Sequence, residues 1–187
     1  KYGTTLAKVN GRLVLRLSEA DILPFRFTNM VENIATFIES NKKLAEEVGY
    51  HLAAKGVVVI CGGLGGVMEA VCRGAKSNKG RTIGVLPGSD PGDANMWVDN
   101  VICTGMGEAR NLIIIKSSDA VIAVGGGYGT LSEMGFALKL NKPIIGLHTW
   151  GLENPNMDSL ALKTSHDPKE AVSDAIKLAK SRFGENN

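Results

Sequence analysis

Two stretches of this 187-residue chain concentrate glycine beside groups able to hold an anion. The first is Gly62-Gly63-Leu64-Gly65-Gly66, directly after Cys61, and the second is Gly125-Gly126-Gly127-Tyr128-Gly129-Thr130. Glycine lets the backbone turn tightly and lets its N–H groups approach a phosphate, and a helix starting just beyond adds partial positive charge. Gly62, Gly63, Gly65 and Gly66 in the first loop, and Gly126, Gly127, Gly129 and Thr130 in the second, are therefore the candidate phosphate contacts. Thr130 can cap the following helix and also donate its hydroxyl to a phosphate oxygen. Arg110 and Glu133 flank the second loop: a guanidinium can grip phosphate through two hydrogen bonds, with a carboxylate at a sugar's distance from it. Plainer roles stand beside these: tight strand-to-helix packing for a single glycine turn, a capping carboxylate for Glu133, a solvated arginine for Arg110. Two such loops in succession are harder to explain by packing alone.

Neighbouring chemistries lack their parts. Neither loop completes GxGxxG, and no acidic residue stands about 20 positions beyond Gly63 to hold a dinucleotide ribose. No lysine follows Gly129 as a Walker loop requires, so kinase and ATPase chemistry lack their key residue. His51, His148 and His166 share no helical face, and a metal site is not expected.

The elements that must position these residues alternate short β-branched runs with helical periods, the pattern of an α/β layer fold built on a parallel sheet. Leu44, Val48 and Leu52 mark the buried stripe of a first helix that Gly56 ends. Strands are expected at residues 57–60, 82–86, 98–103, 120–124 and 143–147, with helices following Gly66, over 107–117 and over 130–140. Asp167-Pro168-Lys169-Glu170 reads as N-cap, N1 proline and capping-box glutamate of a last helix that buries Ala171, Val172, Ala175, Ile176 and Ala179. Residues 11–17 alternate like a half-exposed strand and Leu23-Pro24-Phe25 breaks the chain. Residues 29–39 fit a helix, while 34–38 also fit the first strand of the sheet.

A chain of this length is one ordinary domain, and with 44% hydrophobic and 21% charged residues it is neither disordered nor fibrous. No run of about 18 apolar residues exists to span a membrane. The net charge is +2 without a basic block, so nucleic acid is not the expected partner. Its 23 glycines are about 12% of the chain against a usual ~7%, which points to ligand loops. Cys61, Cys72 and Cys103 are odd in number and form no CxxC, as expected of three buried thiols in a reducing, cytoplasmic setting. The chain opens on lysine rather than methionine, as a fragment or processed form would.

The motifs resemble a known family. GGGYGTLSE, Gly125 to Glu133, is similar to the PGGxGTxxE signature of Lonely-guy-type phosphoribohydrolases, long mislabelled as lysine decarboxylases, and Arg110 stands in the register that family keeps. CGGLGGVMEAVCRGAK, RTIGVLPGSD, TGMGEARN, AVGGGYGTLSEMGFALKLNKPIIGL and a following Thr149-Trp150 look closer to the branch that includes molybdenum cofactor carrier proteins. The resemblance covers about residues 41–184. It implies a Rossmann-like, doubly wound parallel sheet with helices on both faces, a homodimer or homotetramer, and a nucleotide-type ligand over the glycine loops. It also implies functional roles for Arg110 and Glu133, and the molybdenum cofactor as the ligand if the carrier branch is followed, with no other cofactor required. The chain departs from the hydrolase signature at Gly125, Asn111 and Ser132, towards the carrier branch. Binding of a phosphorylated nucleotide-like ligand is the expected function, and hydrolysis of a nucleoside 5′-monophosphate to base and ribose 5-phosphate is the alternative.

The first forty residues do not share the pattern. LAKVNGRLVLRLSEADILPFRFTNM resembles a segment of the glutamate carboxypeptidase and transferrin-receptor group, without its zinc ligands, so no peptidase activity follows. The expected organisation is an atypical segment over 1–40, joined by fusion or an erroneous gene join, and a Rossmann-like domain over 41–187. Phe37-Ile38-Glu39-Ser40 stands where the family's first strand carries a small-residue turn.

Overall fold

The computed structural model describes residues 27–152 and 162–184. The chain divides into two compact units, residues 1–37 and 38–187. The expected strand at 11–17 and the break at Leu23-Pro24-Phe25 lie outside the described residues, as does most of the carboxypeptidase-like stretch. Residues 27–37 open helix α1, Phe27–Ala54.

The open choice at residues 34–38 thus falls to helix. Ile34 and Ile38 stand four apart, and the same helical step continues through Asn41, Ala45, Val48 and Leu52, so one period runs through the whole segment. Gly56, at φ +69°, ends the helix by turning its N–H to the Ala53 carbonyl (2.9 Å) while Val57 N–H reaches Leu52 (3.1 Å).

Strands and helices then alternate: β1 (Val59–Cys61), α2 (Val67–Ser77), β2 (Thr82–Leu86), β3 (Asn100–Cys103), α3 (Arg110–Ser117), β4 (Val121–Val124), α4 (Tyr128–Lys139), β5 (Ile144–Leu147), β6 (Lys163–Ser165) and α5 (Pro168–Gly184). One 3-10 turn, Pro91–Asp93, breaks the loop before β3, and another, Gly107–Ala109, leads into α3. Every pairing is parallel, in the order β1-β2-β3 in one ladder and β4-β5-β6 in a second. This is the α/β, Rossmann-like architecture, with its sheet drawn as two three-stranded halves; among the described residues no ladder joins β1 to β4. Strand β6 was not foreseen, because Lys163-Thr164-Ser165 has no apolar run and only Ser165 is buried.

Ala45 and Val48 of α1, flanked by Leu44 and Leu52, pack with Ala70 of α2, Val124, Leu147 and Val172 in one core cluster. Helices α1 and α2 cross backbone to backbone: a methyl on Gly49 would lie 2.0 Å from the Val71 carbonyl oxygen, and one on Gly74 1.9 Å from that of Glu46. Arg73 bridges the same pair of helices through both Glu46 oxygens (3.1 and 2.8 Å).

Three expectations need correction. Asp167 caps α5, accepting the Lys169 N–H at 3.1 Å, but Glu170 closes no capping box. The Ser165 hydroxyl donates to Glu170 (2.9 Å) and its oxygen accepts the Asp167 N–H (3.2 Å), so Ser165 takes the place the glutamate would have had. Of the three thiols expected to be buried only Cys72 is; Cys61 is part-buried at the end of β1, and Cys103 is exposed because β3 is an edge strand among the described residues. Helix α4 begins at Tyr128, two residues before the expected start, which changes the geometry at Thr130 and Glu133.

Candidate functional site

Both glycine loops leave the carboxyl ends of strands, β1 and β4, where a parallel α/β sheet opens its ligand crevice. Gly62 is buried, and a methyl there would lie 2.0 Å from Arg110 Nη1, so the guanidinium rests directly on the loop backbone. Arg110, the first residue of α3, is only 5% exposed, and its Nε and Nη1 have no hydrogen-bond partner. An arginine stays charged at any ordinary pH, and burying its donors unpaired costs several kcal/mol, so the position calls for an anion.

Gly63, at φ +72°, turns the loop against Gly84 of β2. Asn95 then fixes the loop from outside: its Nδ2 donates to the carbonyls of Gly63 (3.0 Å) and Leu64 (2.9 Å), and its backbone N–H to Gly63 (2.8 Å). Its own Oδ1 accepts the Trp97 N–H at 3.1 Å. Beyond the loop, α2 starts with Gly66 as N-cap and no side chain capping it. The second loop repeats this, with Gly127 as an N-cap lacking a side-chain cap at the start of α4. Two helix starts thus present backbone N–H groups that no side chain has taken.

Thr130 therefore does not cap the helix: it is the third residue inside α4, half-buried. Glu133 lies in the second turn and is not an N3 cap. Gly126, Gly127 and Gly129 are exposed, and methyl groups at Gly127 and Gly129 would meet nothing within 4 Å. Gly65 is as open, with only Glu69 Oε2 at 4.0 Å. Neither packing nor a left-handed backbone requires glycine at 127 and 129, so the space above them is free for a ligand.

Arg110 and Glu133, paired from their residue types, lie close enough to act on each other. Burial pushes the Glu133 carboxyl above the usual carboxylate range, the nearby Arg110 charge works against that rise, and Glu108 adds to it. The Arg110 charge also reaches Cys61 at the end of β1. The Cys61 Sγ sits 3.5 Å from that of Cys72, and the Cys72 thiol, the Gly63 N–H and Arg110 hold Cys61 below the ordinary thiol range, while that contact and burial push buried Cys72 up.

Two further features were hidden from the sequence. Asn111 Nδ2 donates to Ser132 Oγ (3.0 Å), which donates to the Gly129 carbonyl (2.7 Å). Two of the three departures from the hydrolase signature therefore form one bridge from the start of α3 to the second loop. The third, Gly125, has φ +76°, donates its N–H to the Leu147 carbonyl (3.3 Å), and faces Asn41 of α1. Asn41 is 4% exposed with Oδ1 unpartnered. Its only sequence signal was a polar residue in the apolar step of α1. A surface hollow lined by Asn141, Lys142, Pro143, Leu178 and Arg182 opens at the other end of β5 and touches none of these groups. Among the described residues no helix is long and apolar enough to cross a membrane.

Residues 33–179 match the family described as SLOG cluster4. The chain belongs to the SLOG cluster4 family. A family relative from Archaeoglobus fulgidus, described as an uncharacterized protein, is 44% identical over 138 residues, 74% of this chain and 87% of its own. A cytokinin riboside 5′-monophosphate phosphoribohydrolase of Mycobacterium tuberculosis is 35% identical over 58% of this chain, which spans 63% of that protein. Among solved structures, the molybdenum cofactor binding protein of Rippkaea orientalis superposes with a TM-score of 0.65 at 38% identity, covering 76% of this chain and 88% of that one. The resemblance read from the glycine motifs, to Lonely-guy-type proteins and their carrier-like branch, is borne out by these matches.

Proposed function

We propose that this SLOG cluster4 protein binds a phosphorylated, nucleotide-like ligand across its two glycine loops and holds it intact, as a molybdenum cofactor carrier would. The observation that carries this reading is Arg110, buried on Gly62 with Nε and Nη1 unpaired. The ligand's phosphate would take those donors together with the uncapped N–H groups at the starts of α2 and α4. Gly126, Gly127, Gly129 and Thr130 would line its path, with Gly62, Gly63, Gly65 and Gly66 opposite. The donor set fits the phosphate end of a pterin cofactor, which here is cargo, and the likeness to the Rippkaea protein supports that choice. The Asn111–Ser132 bridge and the left-handed Gly125 favour holding over turnover, since they replace hydrolase positions with structural contacts. A reducing, cytoplasmic setting and a homo-oligomer belong to the same proposal; three cysteines, an odd number without a CxxC, support the setting.

One observation favours a second reading. Glu133 is a partly buried acid with a raised pKa beside Arg110, the environment of a group that stabilises an oxocarbenium-like centre and aligns water at a glycosidic bond. The two readings separate in one experiment. AMP, GMP, CMP and IMP are incubated with the protein and with Glu133→Ala, base release is followed by chromatography, and melting is followed in parallel. A melting shift without base release, lost in Arg110→Ala, is the expected result; at a ligand concentration of 100 times Kd the stabilisation is about 2.7 kcal/mol. Base released by the wild type and not by Glu133→Ala would make the protein a phosphoribohydrolase. No shift with any nucleotide, phosphate or molybdopterin would end the binding proposal.

A further inference from the structure

Two aromatic rings stand at the mouth of the second loop. Tyr128, in the first turn of α4, is 84% exposed, and Trp150, just beyond the end of β5, is 37% exposed. Their ring centroids are 6.2 Å apart and their planes differ by 28°. The indole edge borders the loop itself: a methyl on Gly126 would lie 3.5 Å from Trp150 Nε1. Leaving a large ring this exposed brings the fold no core burial, and Tyr128 follows directly on Gly126-Gly127, the open part of the phosphate cradle.

We infer that Tyr128 and Trp150 form a clamp for the flat heterocycle of the ligand, a bicyclic purine- or pterin-type ring, while the glycine loops take its phosphate. The inference rests on the binding reading above and adds where the ring goes. A ring between two others needs about 7 Å, two contacts of about 3.5 Å. The centroids stand 6.2 Å apart, which bounds the gap between the faces from above, so the rings must part to admit a third; Tyr128, 84% exposed, is the side chain that would move. The near-parallel planes suit insertion, whereas an edge-to-face pair would not. A bicycle matches the indole face in extent, so it gains more contact than a single pyrimidine ring. Stacking is tolerant of ring substituents, so the clamp selects for a flat bicycle and leaves the choice among bicycles to other groups.

The test compares ligands with and without the ring. The full chain is titrated with GMP, CMP and ribose 5-phosphate by calorimetry and by tryptophan fluorescence, alongside Tyr128→Ala, Tyr128→Phe and Trp150→Ala. The wild type is expected to bind GMP at least about 10-fold more tightly than ribose 5-phosphate, with CMP between them, since stacking on one aromatic ring is worth about 5- to 150-fold. Tyr128→Ala and Trp150→Ala should erase most of that preference while leaving ribose 5-phosphate affinity unchanged, and Tyr128→Phe should keep it. GMP, but not ribose 5-phosphate, should quench fluorescence in the wild type and not in Trp150→Ala, where only Trp97 remains. Equal affinity for GMP and ribose 5-phosphate in the wild type, or a preference that survives both alanine variants, overturns the clamp and leaves the phosphate reading standing. Binding of none of the three ligands overturns the clamp as a general purine- and pterin-type site, and if molybdopterin and inorganic phosphate also fail to bind, the phosphate reading falls with it.

Discussion

Glu133 and Gly125 each turn a local environment into a measurable sign. Burial raises the Glu133 carboxyl above its ordinary range, against the pull of Arg110, so the folded chain holds that proton more firmly than the unfolded chain does. Its contribution to stability is therefore complete below the ordinary glutamate pKa and falls as pH rises towards the raised folded value. Glu133→Gln should melt higher than the wild type at pH 7, and the gap should narrow as the pH falls below the ordinary glutamate range, where both forms carry a neutral side chain. A gap of the same size in both pH ranges would refute the buried-acid account. At Gly125 the hydrolase signature has proline, yet the backbone here sits at φ +76° and its N–H is bonded to Leu147. Proline locks φ near −65° and has no N–H, so Gly125→Pro, which restores the signature, should cost about 3 kcal/mol or more in a denaturant melt. Gly125→Ala should cost less, about 1–2 kcal/mol for the left-handed backbone. Arg110 and Glu133 were legible in the sequence because their types announce phosphate and sugar chemistry and their spacing placed them at loop mouths. Asn95 and Asn41 were not, since Asn95 meets its loop from 32 residues away and Asn41 is set by a helix packed over the strand end.

At the scale of elements, the alternation of β-branched runs and helical periods gave most boundaries to within two residues, because each of those elements is specified by its own side chains. Contacts between elements carry no such local mark. Gly49 and Gly74 lie inside two helices, and their purpose appears only in the crossing of α1 and α2. That crossing sets opposite signs for one kind of mutation. Alanine is a better helix former than glycine by about 1 kcal/mol. At Gly135 of α4, exposed and with nothing within 4 Å of an added methyl, Gly135→Ala should raise stability by about 0.5–1 kcal/mol. At Gly74 the methyl would meet backbone atoms of Glu46 at 1.9, 2.7 and 2.9 Å. Backbone cannot step aside as a side chain does, so Gly74→Ala should lose at least about 1–3 kcal/mol despite the better propensity. Thermal melts of the two variants check both signs. A neutral Gly74→Ala would mean that α1 and α2 stand further apart in solution.

The whole molecule is shaped by what holds its two half-sheets together. Strand order within each ladder follows the chain, but the pairing of β1 with β4 would be a long-range contact that no local pattern specifies, and the described residues have no such ladder. Side-chain packing joins the halves instead: Ala45 and Val48 of α1 share one core with Ala70 of α2 and with Val124 and Leu147 of β4 and β5. Phe37-Ile38-Glu39-Ser40, which the resemblance sets at the small-residue turn of the first strand, is part of α1, so the backbone N–H of Asn41 lies inside the helix rather than at its open start. Two helix starts lie over the loops, those of α2 and α4, and in the proposed site Arg110 would supply most of the remaining positive charge. This organisation predicts how the molecule opens. Among the described residues, β2 and β5 are paired on both sides while β1 and β4 are paired on one, and a strand held along one edge can part from the sheet with less of the structure opening. Native-state hydrogen exchange should find β2 and β5 protected to the level of global unfolding, with β1 and β4 exchanging faster through a partial opening. On the proposed binding mode, adding GMP should slow β1 and β4 more than β2 and β5, because the ligand would bridge the loops that follow those two strands. Equal protection of all four strands without ligand would mean that a further ladder closes the gap between β1 and β4 in solution, and the sheet would then be a single continuous layer.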